Sequence, residues 1–160
     1  MSLILGIDPG PSESGVVLLR DGAIAACGVL WSHEVFRQIR DAKAEGALIA
    51  IEMIASYGMP VGKEVFDTCV WIGQFEREAE LHSLDLEPAV LKITRQEVKL
   101  HLCGSPRAKD ANIRQRLIDL LGAPGTKKEP GGTYGVKSHA WAALAVAITA
   151  RDRIAAKVLT

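Results

Sequence analysis

Cysteine is scarce and scattered. Cys27, Cys69 and Cys103 are odd in number and far apart, with no CxxC pair; this excludes a disulfide framework or a zinc finger and predicts a reducing, cytoplasmic setting. No apolar run reaches the ~18 residues a membrane span requires. The opening MSLILGID has neither a basic flank nor a cleavage site, so a soluble intracellular protein is expected. Internal repeats are missing too, and no second domain is needed. A chain of 160 residues can fold as one unit, 1–160, burying roughly two-thirds of its unfolded surface. Net charge is zero, yet residues 92–137 hold ten Lys and Arg against four acids. A basic segment on an otherwise acidic chain suits a polyanionic partner; a solvated surface is the alternative.

What is present begins with short apolar runs. LILGID (3–8) and SGVVLLR (14–20) read as strands joined by a Pro/Gly/Ser-rich turn. Asp21-Gly22 marks a tight hairpin into a third strand. Residues 32–45 place Val35, Ile39 and Ala42 on one helical face, with Ser32 as cap and Gly46 as stop. ALIAIEM (47–53) returns as an apolar strand suited to burial on both faces. After the loop IASYGMPVG (54–62), residues 63–84 run as a long helix. Its apolar residues Val65, Phe66, Cys69, Val70, Trp71, Ile72 and Phe75 cover more than one core-facing stripe. The surplus face is either a dimer contact or the mark of a deep core helix. LEPAVL (86–91) reads as a fifth strand, with helices at 94–102, 109–121 and 138 to about 155. The Gly-, Pro- and Lys-rich loop 122–138 is expected to be mobile. This order predicts an α/β fold: a five-stranded mixed sheet, three antiparallel strands then two parallel ones reached by right-handed crossovers, flanked by helices.

Two acids interrupt the apolar pattern. Asp8 ends the first strand just before Pro9-Gly10, where a turn-capping Asp is one reading. Glu52 stands inside LIAIEMIA, a costly place for a carboxylate without a partner or a cation. If the first and fourth strands are neighbours, both acids emerge side by side and repel unless a metal lies between them. Hard oxygen ligands at an open, hydrated site suit Mg²⁺ or Mn²⁺, and two such ions activate water and stabilise the leaving oxygen of a phosphodiester.

Together, GIDPG followed by SGVVLL, then IAIEMI with a long helix after it, and the terminal SHAWAALAVAIT resemble the RuvC-type Holliday-junction resolvases. The likeness is to small phage-borne relatives especially, within the ribonuclease H-like superfamily, and it runs along nearly the whole chain. It implies a homodimer that binds a four-way DNA junction and makes paired symmetric nicks with a divalent metal. Asp8 matches the first-strand acid and Glu52 the fourth-strand acid. The last helix of such enzymes carries further ligands near its start, commonly as DxxD or HxxD. His139 matches the histidine variant, whereas Ala142 stands where an acid is expected. That departure fits a three-ligand site, a site completed by another acid, or a silencing substitution. Asp110 is the best substitute acid, although a helix start favours Asp as a cap as well; Asp67 is a weaker one. The resemblance also implies a residue that enters the junction from the loop after the fourth strand. Tyr57 could stack there on an exposed base pair, or pack on its own loop.

Lys109, Arg114, Arg116, Lys127, Lys128 and Lys137 are expected to contact phosphates. Other readings are a branched-DNA-binding protein without cleavage and a nuclease acting on RNA–DNA hybrids. A nucleotide-clamping ATPase hairpin would need two such domains, and this length supplies one.

Overall fold

Apolar residues at alternate positions build a central sheet with a core on each face. The structure, a computed structural model, describes residues 2–83 and 89–158. The strands are β1 (Leu3–Asp8), β2 (Glu13–Arg20), β3 (Ala23–Trp31), β4 (Leu48–Met53) and β5 (Val90–Thr94). They lie in the order β3-β2-β1-β4-β5. The first three form an antiparallel meander, and β4 and β5 add in parallel. The Asp21-Gly22 hairpin is present with positive φ at both residues, as a primed turn requires.

Among the described residues five α-helices cover the sheet: α1 (Val35–Ala44), α2 (Lys63–Leu81), α3 (Arg95–Cys103), α4 (Asp110–Leu121) and α5 (Ala140–Val158). On one face Leu3, Leu5, Ile7, Ile49 and Ile51 pack with Val35 and Ile39 of α1 and Ile72 and Phe75 of α2. On the other, Ile4, Val17, Leu19 and Ala50 pack with α5 and with Val98, Ile113 and Leu117 of α3 and α4. The two-residue period of a strand sends odd and even positions of β1 to opposite faces. Asp8 therefore falls on the face of Ile4, and Glu52 on that of Ala50.

The last helix lies unusually close to the sheet. A Cβ on Gly6 would collide with the Ala143 carbonyl and the Ala147 side chain, and one on Gly15 with the His139 carbonyl. The small residues of SHAWAALAVAIT thus let α5 rest on β1 and β2, which brings His139 to the end of β1.

Several local expectations change. Ser32 does not cap the first helix: it opens a short 3-10 turn, Ser32–Glu34. Its buried hydroxyl lies 2.9 Å from the Ser14 hydroxyl and donates to the Gly10 carbonyl. The Trp31 N–H is taken by Glu34 instead. The fifth strand is Val90–Thr94 rather than 86–91, and 84–88 lie outside the described residues. Its last residue, Thr94, forms a reciprocal capping box with Glu97 that starts α3. The loop 122–138, expected to be mobile, is tied down instead. Thr133, fully buried, donates to the Gly122 carbonyl, Gly131 N–H to Pro124, and Thr126 N–H to Glu129; Val136 enters the core. The deep-core reading of α2 fails, because Phe66, Cys69 and Val70 face solvent while Thr68, Ile72, Phe75 and Ala79 are buried. Among the described residues no helix is long and apolar enough to cross a membrane.

Candidate active site

Strand pairing places both acids at one edge of a cleft. β1 and β4 run parallel in register Ile7↔Ile51, so the next residues along each strand, Asp8 and Glu52, leave the sheet together. Each carboxyl feels the other's charge. The turn after Asp8 is pinned from outside, the Trp71 indole N–H donating to the Pro11 carbonyl at 3.0 Å. A cleft of about 600 Å³ opens over the pair. Its walls include Asp8, Glu52 and His139 with Arg95, Asp110 and Arg114, and also Trp141 and Ala142.

The electrostatics of this cleft are strained. Burial pushes the Glu52 carboxyl up to about 7, and the neighbouring Asp8 charge pushes the same way, against the opposing pull of Arg95. Asp8 is also raised by burial, although His139 and Arg95 pull it down. Each shift records a carboxylate held where its charge is poorly solvated. A histidine and an arginine face them. His139 Nδ1 lies 3.0 Å from Asp8 Oδ2. Arg95 Nη1 donates to Glu52 Oε1 at 3.3 Å, and its Nη2 donates to Asp110 Oδ1.

His139 is aimed by its neighbour. Ser138, expected as the helix cap, has a left-handed backbone at φ 46°, a costly conformation for a residue other than Gly, Asn or Asp. The helix proper begins at Ala140, leaving His139 exposed at the cleft mouth. Ala142 lines the cleft one turn further along, so the position where an acid was expected does face the site and carries none.

Asp110 is brought to the site, and it does not cap its helix. The Lys109 N–H is taken by Asn112 Oδ1 at 2.9 Å, while the Asp110 carboxylate goes to Arg95. Asp67 pairs with Lys63 on α2 and does not line the cleft. Of the expected phosphate contacts only Arg114 is a wall residue, its guanidinium 4.7 Å over the Trp141 ring. Lys109, Arg116, Lys127, Lys128 and Lys137 are exposed outside the lining. Tyr57 is 63% exposed on the loop after Glu52. Among the described residues no three His, Cys, Asp or Glu side chains already gather as a metal cage; Arg95 stands between Glu52 and Asp110.

Sequence reasoning passed over Arg95 and Trp141. Arg95 was only one charge in a basic segment. The available signal was its place as first residue of a helix directly after a strand.

No family model matches the chain, and no curated protein sequence matches it. Solved structures do. The chain is similar to the Thermus thermophilus RuvC structure at 20% identity and TM-score 0.66, covering 96% of each chain. It is similar also to T. thermophilus RuvC in complex with Holliday junction substrate, at 18% identity and TM-score 0.66, again over 96% of each chain. With its sheet order and with 96% of each chain covered, the chain has the fold of these RuvC structures.

Proposed function

We propose that this chain is a structure-specific endonuclease that resolves four-way DNA junctions by divalent-metal-dependent phosphodiester hydrolysis, giving paired symmetric nicks. One observation carries the reading: two half-buried carboxylates, Asp8 and Glu52, leave adjacent central strands into an open cleft with their charges unfavourably solvated. Carboxyls raised in this way and gathered in an open cleft mark a functional site more often than a structural one.

The donor set fits a hard cation. Asp8 and Glu52 offer oxygens and His139 a ring nitrogen, a combination suited to Mg²⁺ or Mn²⁺. Such an ion, when bound, would activate water and stabilise charge on a phosphodiester. Asp8 and Glu52 would hold it, and His139, already paired to Asp8, orients that carboxylate. Arg114 on Trp141 offers a guanidinium to a backbone phosphate at the cleft wall, while Lys109 and Lys137 flank the mouth through their chain neighbours Asp110 and Ser138. Tyr57, exposed on the loop after β4, would stack on an exposed base pair of the junction. The exposed stripe Phe66, Cys69 and Val70 on α2, with Met59 and Val61 beside it in sequence, suits the second copy that paired nicks require.

The test is direct. Purified protein is incubated with a mobile four-way junction, a matched duplex and an RNA–DNA hybrid, with Mg²⁺ or Mn²⁺, beside Asp8→Asn and Glu52→Gln. Symmetric junction nicks, lost in both variants, are expected; cleavage of the hybrid alone would transfer the reading to a ribonuclease. A second reading, a junction-binding protein without cleavage, is favoured by Ala142 in the cleft wall. Tight junction binding with no nicks in either metal would establish it.

A further inference from the structure

Among the described residues Arg95 is the one cation of the cleft that bonds two of its acids. The register Glu52↔Ile93 and Met53↔Thr94 brings the chain out of β5 beside Glu52, and the Thr94–Glu97 capping box starts α3 at that point. The first helical residue thereby projects its guanidinium over the end of β4. Its two terminal nitrogens are divided, Nη1 to Glu52 and Nη2 to Asp110, and its field also reaches Asp8. The Arg95 side chain is 42% exposed, so N–H groups beyond the two engaged remain available to the cleft.

Ala142 and Ala145 line the same cleft and supply methyl groups where a further carboxylate could have stood. The acids are therefore unevenly served. Asp8 has His139, whereas Glu52 and Asp110 share a permanent cation that no change of solution conditions removes.

We infer that Arg95 is the second positive charge of this site: the cleft takes a single divalent cation, on Asp8 and Glu52, and the guanidinium stands where a second ion would otherwise be drawn to Glu52 and Asp110. This rests on the nuclease reading for its purpose, though not for its test. A guanidinium fixed between two carboxylates repels an incoming dication and cancels the charge that would attract it. It also offers planar donors to a phosphate oxygen, which lets one ion and one arginine share the charge of a phosphodiester.

The experiment counts ions without DNA. Mn²⁺ is titrated into the full chain and followed by the electron paramagnetic resonance of free Mn²⁺ and by calorimetry, for wild type, Arg95→Gln and Arg95→Lys. Circular dichroism confirms that each variant is folded. Wild type is expected to bind one ion per chain. Arg95→Gln is expected to bind a second, or to hold the first at least about tenfold more tightly; Arg95→Lys, which keeps the charge, is expected to stay at one. Two ions in wild type, none in wild type, or one ion at unchanged affinity in Arg95→Gln would each overturn the inference. Junction cleavage by wild type is read separately, so one ion without nicks sinks the nuclease reading and leaves the charge assignment standing.

Discussion

Replacing Glu52 by Gln in the metal-free protein should make it more stable at alkaline pH. The folded protein holds the Glu52 carboxyl at about 7 against an ordinary 4.5, through burial first and the Asp8 charge second. A raised carboxyl favours its neutral form, so the folded state binds the proton more tightly than the unfolded chain does. The associated stability is complete below the unfolded value and is lost as pH rises through about 7. At about 1.4 kcal/mol per unit, the shift corresponds to about 3 kcal/mol between pH 4 and pH 8. Asp8 titrates together with Glu52, so this magnitude belongs to the pair. Gln keeps an oxygen for Arg95 and adds an N–H that can face Asp8, at nearly unchanged volume. Urea unfolding with chelator present, at several pH values, measures the effect. Wild type should lose about 3 kcal/mol across that range, roughly 10 °C in Tm at this length, and Glu52→Gln most of that loss less. Parallel curves for the two proteins would refute the reasoning. Because cation binding needs the ionised carboxylate, Mg²⁺ should also raise the wild-type Tm at pH 8 far more than at pH 5.5.

Four other outcomes are expected. Ala142→Asp adds a carboxylate to the cleft wall and should tighten Mn²⁺ binding by roughly tenfold or more; unchanged affinity in a calorimetric titration would mean that position 142 does not reach the ion. Arg114→Ala should weaken junction binding uniformly across sequences and reduce the salt slope by about one, with a smaller loss for Arg116→Ala outside the cleft; gel-shift titrations at several salt concentrations decide it, and equal losses would go against the wall assignment. Gly6→Ala forces a methyl into the Ala143 carbonyl and should cost about 1–3 kcal/mol, seen in the urea midpoint, where no shift would mean that α5 moves freely. Tyr57→Ala should weaken binding to a four-way junction but not to a matched duplex, and unchanged junction affinity would remove the stacking role.

The sheet was legible because its strands are buried on both faces or end in turn residues, so apolar runs and Pro/Gly punctuation delimit them. Asp8 and Glu52 stood out for the same reason, as charges in strings of Leu, Ile and Ala. The order of loop 122–138 was hidden, since it depends on bonds such as Thr133 to the Gly122 carbonyl and on Val136 entering the core. Local composition reports only that such a segment is rich in turn formers. Arg95 was hidden more deeply. Its meaning comes from the β4–β5 register and from Asp110 on another helix, both long-range facts. Ser32 misled through a real preference: a serine before a helix usually caps it, but here a buried partner, Ser14, competes for the hydroxyl.

The parity of the strands has a consequence for how this protein can change. Ile4, Gly6 and Asp8 share a face with Ala50 and Glu52 only because each is an even number of residues from the next. A single-residue insertion within β1 would turn Asp8 towards α1 and α2 and deliver an isoleucine to the cleft. Point substitutions at 95, 110 or 142 leave that face intact. Acids and bases around the cleft can therefore be exchanged without turning a strand over, while a change of length is absorbed without that cost only in the turns.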